Sequence, residues 1–215
     1  MAKKRTSFLL ALFGVLLGVP FLWLLGRFYT LGGNQRMIVP LLLLKTFGLG
    51  CSYLLVLGSL DAPVFNRFCP RGKWFDCHRV IESPAGKPLG LVHMADLGIL
   101  YFGGSLLLLG WSACAGHLYH HIIYLGILNL AALLYTPFSV LYQALKVKKW
   151  CAICLLVLLV FWLEFSQFFP YLFQYPVQTQ ITPELLVPLL AFFALTGAIW
   201  LVIRWALGRI YRRPA

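Results

Sequence analysis

Six long apolar blocks divide this chain: Phe8–Gly26, Met37–Leu60, Leu89–Trp111, Leu118–Leu145, Cys151–Phe169 and Leu185–Leu207. Each comes near the roughly 20 residues that a helix needs to cross the hydrocarbon core of a bilayer. A closed barrel would also satisfy the backbone in lipid, but it needs alternating apolar and polar residues, and these blocks do not alternate. Charged residues make up only 11% of the chain, against about 25% in a soluble domain. The expected fold class is therefore an all-α polytopic membrane protein, with no separate soluble domain. The first block follows Lys3, Lys4 and Arg5, as a signal peptide would. No small-residue cleavage site follows it, and it reads as a retained anchor helix.

The formal net charge is +12. Lys and Arg lie mostly in loops and at the ends, where they set topology, and no basic stripe interleaves with exposed aromatics. No nucleic-acid partner is expected; membrane lipid is. Two connections are long. Asp61–Pro88 is polar and contains Pro and Gly. Pro170–Pro183 is uncharged and carries Tyr171, Phe173 and Tyr175, which suit the interface. The last block opens with Thr182, Pro183 and Glu184, the pattern of an N-cap, a first-turn proline and an acid near the helix's positive end.

Parity brings the cysteines together. The Asp61–Pro88 loop lies on one side of the membrane, and the next two helices cross and return. The link Lys146–Trp150 must then lie on the loop's side, so Cys69 and Cys77 share a face with Cys151 and Cys154. Cys151-Ala-Ile-Cys154 sets two thiols one turn apart at a helix N-terminus, where the dipole and the nearby Lys148 and Lys149 favour thiolate. The first cysteine is expected to face water and the second to lie a turn deeper, an asymmetry suited to a relay between another disulfide and a lipid-soluble oxidant. Structural zinc is a competing reading of the four cysteines, though the wide Cys69–Cys77 spacing suits it poorly. Cys51 and Cys114 read as small apolar residues. No metal is expected, and His117 and His121, a turn apart near Cys114, read as interfacial residues.

The loop sequence Cys69-Pro-Arg-Gly-Lys-Trp-Phe-Asp-Cys77-His-Arg79-Val80-Ile-Glu-Ser83, then Gly90-Leu91-Val92, resembles the vitamin K epoxide reductase family. Like that family, the chain places the widely spaced pair first and the CxxC at the opening of the last core helix. The resemblance covers roughly 37–169. It implies a four-helix transmembrane bundle core, 37–169, around a quinone, with one extra helix at each end: an anchor and link, 1–36, and a C-terminal helix with a basic tail, 170–215. It further implies that Cys154 reacts with a quinone of menaquinone, ubiquinone or vitamin K type. Cys151 would exchange with Cys77, Cys69 with a thioredoxin-like redox protein, and Ser83 would sit near the quinone headgroup. Two positions depart from the family: Leu158 stands where a tyrosine is expected, and Val92–Tyr101 offers Asp96 but no asparagine. They favour quinone over epoxide as the substrate. The implied activity is a quinone-linked thiol–disulfide oxidoreductase supporting disulfide formation. Reduction of vitamin K epoxide or quinone for its own sake is one alternative, and a transporter or scaffold with structural disulfides is another.

Three charges fall within the blocks: Lys45, Asp96 and Glu164. Intramembrane charges are costly and often functional. Asp96, near the cysteine face, is expected either to help protonate a quinone or to pair with Lys45. Glu164 is expected to snorkel to the far interface. Gly103, Gly104 and Ser105 suit close helix packing. A cell-membrane, multi-pass protein follows, but its orientation is contested. Lys3, Lys4, Arg5, Arg67, Arg71, Lys73, Arg79, Lys87, Lys146, Lys148, Lys149, Arg204, Arg209, Arg212 and Arg213 all fall on the cysteine side, fifteen of the 18 basic residues. Charge bias places that side in the cytoplasm. The resemblance places it outside, where disulfides persist, and the extracytoplasmic face is the narrow favourite.

Overall fold

In lipid every backbone N–H and C=O must be satisfied within its own segment, so the apolar runs form helices. The computed structural model describes residues 35–62, 65–69, 72–87, 92–115, 118–174 and 183–211. The block Phe8–Gly26 lies outside the described residues. The chain divides into two compact units, Met1–Leu41 and Leu42–Ala215, and the fold below is that of the second. Its long helices are α1 (Gln35–Ser59, entering this unit at Leu42), α4 (Met94–Ala115), α5 (Leu118–Tyr142), α6 (Ala152–Gln174) and α7 (Pro183–Tyr211). Two short helices, α2 (Phe65–Phe68) and α3 (Cys77–Ile81), and a 3-10 turn at Pro84–Gly86 lie between α1 and α4. Among the described residues five helices are long and apolar enough to cross a membrane. The protein is a polytopic all-α membrane protein.

Helices in lipid gain little from apolar burial and associate through close packing. Gly103 and Gly104 of α4 provide it for α7. A β-carbon on Gly103 would come within 2.9 Å of Thr196 Cγ2, and one on Gly104 within 2.9 Å of the Phe193 ring. Most of α7 otherwise presents apolar side chains outward, including Leu195, Leu201, Val202 and Ile210, as a lipid-facing helix must. Within the bundle, Phe102 stacks on Phe161 at 5.4 Å, and Tyr101 meets both rings edge-on.

Helix α6 runs through Pro170 to Gln174, beyond the expected end at Phe169. A proline is tolerated in a membrane helix because neighbouring groups re-satisfy the freed carbonyl. The expected aromatic loop is thus helical for its first part. Thr182 lies outside the described residues, and α7 does begin at Pro183.

The other difference is in charge placement. Glu164 does not snorkel. It is fully buried, and its Oε2 accepts from Lys45 Nζ at 2.9 Å, from the Tyr101 hydroxyl at 2.6 Å and from Asn129 Nδ2 at 3.1 Å. Lys45 Nζ also sits 3.8 Å over the Tyr101 ring. Partners across the bundle hold Glu164 Oε2 in place, while Oε1 is buried without a hydrogen-bond partner among the described residues.

Candidate functional site

The segment after α1 folds as a cap. Asp76 accepts from the Arg79 N–H at 3.2 Å and so starts α3, whose first residue is Cys77. Cys69 closes the turn after α2, its N–H donating to the Phe65 carbonyl at 3.1 Å. A disulfide joins Cys69 to Cys77, with Cα atoms 6.0 Å apart. The Phe65 ring packs edge-on to His78, which also pairs with Asn66 Oδ1 at 3.0 Å. Both loop cysteines are buried, at 1% and 0% exposure.

The second pair is reached from α5. That helix ends in a π-turn, Gln143–Val147, and Lys148 follows at φ 55°. This left-handed conformation costs an L-residue roughly 1–2 kcal/mol, and the contacts it permits offset that. The chain reverses, and Trp150 forms a parallel bridge with Phe75. The Asp76 N–H donates to the Trp150 carbonyl, and the Trp150 N–H to the Trp74 carbonyl, each at 3.0 Å. Lys149 Nζ donates to the carbonyls of Gly72 and Lys73. The residues that follow the two sides of this junction are Cys77 and Cys151. Both belong to one buried cluster that includes Val80, Ile81 and Val147.

Cys151 is the N-cap of α6. Its carbonyl accepts from the Leu155 N–H at 3.0 Å, and its Sγ accepts from the Cys154 N–H at 3.2 Å. Its own N–H donates to Gln143 Oε1 at 2.8 Å, so a buried glutamine fixes the cap. A disulfide joins Cys151 to Cys154, with Cα atoms 5.2 Å apart. Cys151 does not face water as expected: it is 0% exposed, because the loop covers it. Cys154 instead lines a cavity of about 210 Å³ within the bundle. The two sulfurs therefore have different neighbours, the covering loop for one and the cavity for the other.

The cavity is walled by Leu55 of α1, Val80, Ser83 and Gly86 of the cap, Gly98 and Tyr101 of α4, Tyr135 and Tyr142 of α5, and Leu158 and Phe161 of α6. Gly86 allows the cap to close tightly, since a β-carbon there would overlap the Ile81 carbonyl. Ser83 lies on the wall, but its hydroxyl is engaged locally, donating to the Val80 carbonyl at 2.6 Å. Asp96 stands behind the wall. Its carboxylate accepts from Trp200 Nε1 at 3.0 Å and from the His93 N–H at 3.1 Å, and Arg204 Nε is 3.5 Å away. Lys45 pairs with Glu164 rather than with Asp96. Cys51 is a buried free thiol in the same cluster as the paired cysteines. His121 is buried against the Trp111 ring, while His117 and the side chain of Cys114 lie outside the described residues.

Sequence reasoning missed His93, Tyr101, Tyr135 and Gln143, all of which line the cavity. Their signal was present, because a polar side chain in or beside an apolar span is there for a reason. Leu158, where the family resemblance calls for a tyrosine, does face the cavity, and Tyr101 and Tyr135 reach the same space from other helices.

Comparison with known proteins agrees with the geometry at the level of family. Neither the curated proteins nor the solved structures include a match to this chain. A profile of the vitamin K epoxide reductase family matches residues 39–167, a stretch that holds both disulfides and the cavity-lining residues. The chain thus belongs to the vitamin K epoxide reductase family and is a redox enzyme of the membrane.

Proposed function

We propose that the protein passes electrons from a thioredoxin-like partner through Cys69/Cys77 and then Cys151/Cys154 to a quinone held in the cavity, and so supports disulfide formation. The observation that carries this reading is the division of the inner pair: Cys154 borders the cavity, and Cys151 is covered by the loop that contains Cys77. The cavity suits a flat apolar ring bearing carbonyl oxygens. Its wall offers the aromatic rings of Tyr101, Tyr135 and Phe161, and a buried nitrogen, His93 Nε2, that has no partner. A quinone supplies a two-electron, two-proton acceptor. Each partner dithiol that becomes a disulfide releases two electrons and two protons.

This chain's own residues do the rest. Cys69 exchanges with the partner, forming a mixed disulfide as the Cys69–Cys77 bond breaks. The partner's second thiol then releases Cys69 and leaves as a disulfide. The Cys77 thiolate attacks Cys151, forming a Cys77–Cys151 bond as the Cys151–Cys154 bond breaks, which frees the Cys154 sulfur beside the cavity. Cys69 next attacks Cys77, restoring Cys69–Cys77 and releasing Cys151 reduced. The negative charge of a reduced Cys151 is favoured by the Cys154 N–H that already points at its sulfur and by the helix N-terminus.

The test is quinone reduction by purified protein supplied with a reduced thioredoxin-like donor; no reduction with any quinone would overturn the reading. In the same assay Cys69→Ala should block the protein donor more than a small dithiol, which needs no docking at the outer pair. Equal loss with both donors would remove Cys69 from the outer position.

The site is proposed to face out of the cytoplasm of a cell membrane. Arg204 shares the site's side, since its guanidinium donates to Ser59 Oγ at 3.0 Å beside the loop. Single-cysteine labelling with a membrane-impermeant thiol reagent in intact cells decides the matter. Reduced Cys69 should label before lysis; labelling only after lysis would place the site in the cytosol, as the charge bias favours.

A further inference from the structure

His93 lies one residue before α4, on the cavity wall, with its side chain 14% exposed. Its Nδ1 is 3.1 Å from Arg204 Nη2. A guanidinium has donors and no acceptor. Nδ1 must therefore accept, the ring proton resides on Nε2, and the ring is neutral. Asp96 does not compete for Nδ1: its nearer oxygen is 3.7 Å away and already accepts the His93 backbone N–H. Nε2–H is buried and has no partner in the protein. A buried donor without a partner is rare in a native structure and asks for one.

The support for this ring comes from the C-terminal helix. Arg204 is fixed by Ser59 Oγ and by Asp96, and Trp200 Nε1 holds the same carboxylate. Trp200 and Arg204 both lie beyond the family match, which ends at residue 167. The last helix is thus more than an added anchor, because it reaches a wall residue whose buried ring nitrogen has no partner among the described residues. Burial first, and the Arg204 charge second, hold the His93 pKa below its ordinary value; Lys87 acts in the same direction, and Asp96 and Glu82 oppose it. That agrees with a neutral ring near pH 7.

We propose that His93 Nε2–H donates a hydrogen bond to a carbonyl oxygen of the quinone bound in this cavity, and that Arg204 and Trp200 of α7, with Asp96, position the ring to do so. The proposal rests on the quinone reading above and adds which residue recognises the carbonyl. A fixed donor aimed at an oxygen that gains electron density on reduction lowers the barrier as well as anchoring the ring. His93 would touch the quinone; Arg204 and Trp200 act through it.

The experiment uses the full chain, oxidised and in detergent, with a short-chain ubiquinone labelled with carbon-13 at its carbonyls. Binding is followed by tryptophan fluorescence, and the carbonyl stretch by infrared difference spectroscopy. In the parent protein one carbonyl band should lie below its position in apolar solvent. His93→Leu should abolish that shift and weaken binding about tenfold, the worth of one hydrogen bond. His93→Gln, which restores an N–H donor, should recover most of both. Arg204→Leu should lose the band shift although the residue does not touch the ligand, and Arg204→Lys should regain it. If His93→Leu does not fold, the band in Arg204→Leu decides. An unchanged band and affinity in folded His93→Leu, or an unchanged band in Arg204→Leu, overturns the proposal and leaves the quinone reading intact. A parent protein that binds no quinone overturns both.

Discussion

Cys154→Ser and Cys151→Ser should each reduce quinone turnover to background, with the fold retained. Exchange needs both sulfurs of the inner pair, one to attack and one to leave. The structure makes Cys151→Ser an unusually clean probe. Cys151 caps α6 by accepting the Cys154 N–H. A serine oxygen is among the best N-cap acceptors. The substitution therefore keeps the helix start while it removes the Cys151–Cys154 bond, and an unchanged thermal midpoint would assign the loss of activity to the redox chemistry. Cys51→Ser is the control, since it is a buried free thiol in the same cluster that the proposed route does not use. It should keep most activity. The readouts are quinone reduction and the thermal midpoint of each purified variant. Full quinone reduction by Cys154→Ser would remove that sulfur from the cavity chemistry, and the proposed route would have to end elsewhere.

How far the sequence reveals this site depends on the range of the interaction. Span number and type among the described residues follow from length and polarity alone, because lipid leaves a backbone few choices. Parity places the two cysteine pairs on one face, and the junction of Phe75 with Trp150 joins them there. The short helices α2 and α3 could not be read, because four or five residues carry no periodicity. Glu164 was misread as an interfacial residue because its partner Lys45 lies 119 residues away, and a hydrophobic block does not say which of its faces meets which helix. The same limit hid His93. Its polar partner Arg204 is 111 residues distant, in a helix outside the family core. Asp96 stands out in the sequence as an unusual charge, but its neighbours Trp200 and Arg204 come from a helix whose docking only Gly103 and Gly104 hint at.

Lys45→Met should destabilise the protein by about 3–5 kcal/mol, the usual result of leaving a buried charge without its partner. Both side chains of the pair are 0% exposed. The loss is larger than that of an exposed ion pair, worth about 0–1 kcal/mol, because no solvent can take the place of the ammonium. Lys45→Met with Glu164→Leu should recover most of the deficit, since an apolar pair of similar volume often matches a buried ion pair. Recovery should be incomplete. The Tyr101 hydroxyl and Asn129 Nδ2 both donate to Glu164 and would lose that acceptor, at about 1–3 kcal/mol for a buried group left unpaired. Asn129 keeps its bonds to the Tyr101 hydroxyl and the Phe161 carbonyl, which limits the deficit. The effect should also reach the site, because Tyr101 and Phe161 form part of the cavity wall. Quinone affinity should therefore fall in Lys45→Met and return with stability in the double variant. Unfolding of the four proteins of this cycle in a denaturing detergent titration measures the coupling. A Lys45→Met protein within about 1 kcal/mol of the parent would mean that Glu164 reaches water, as an exposed pair would allow, and the bundle would have to be more open at this depth than its packing implies.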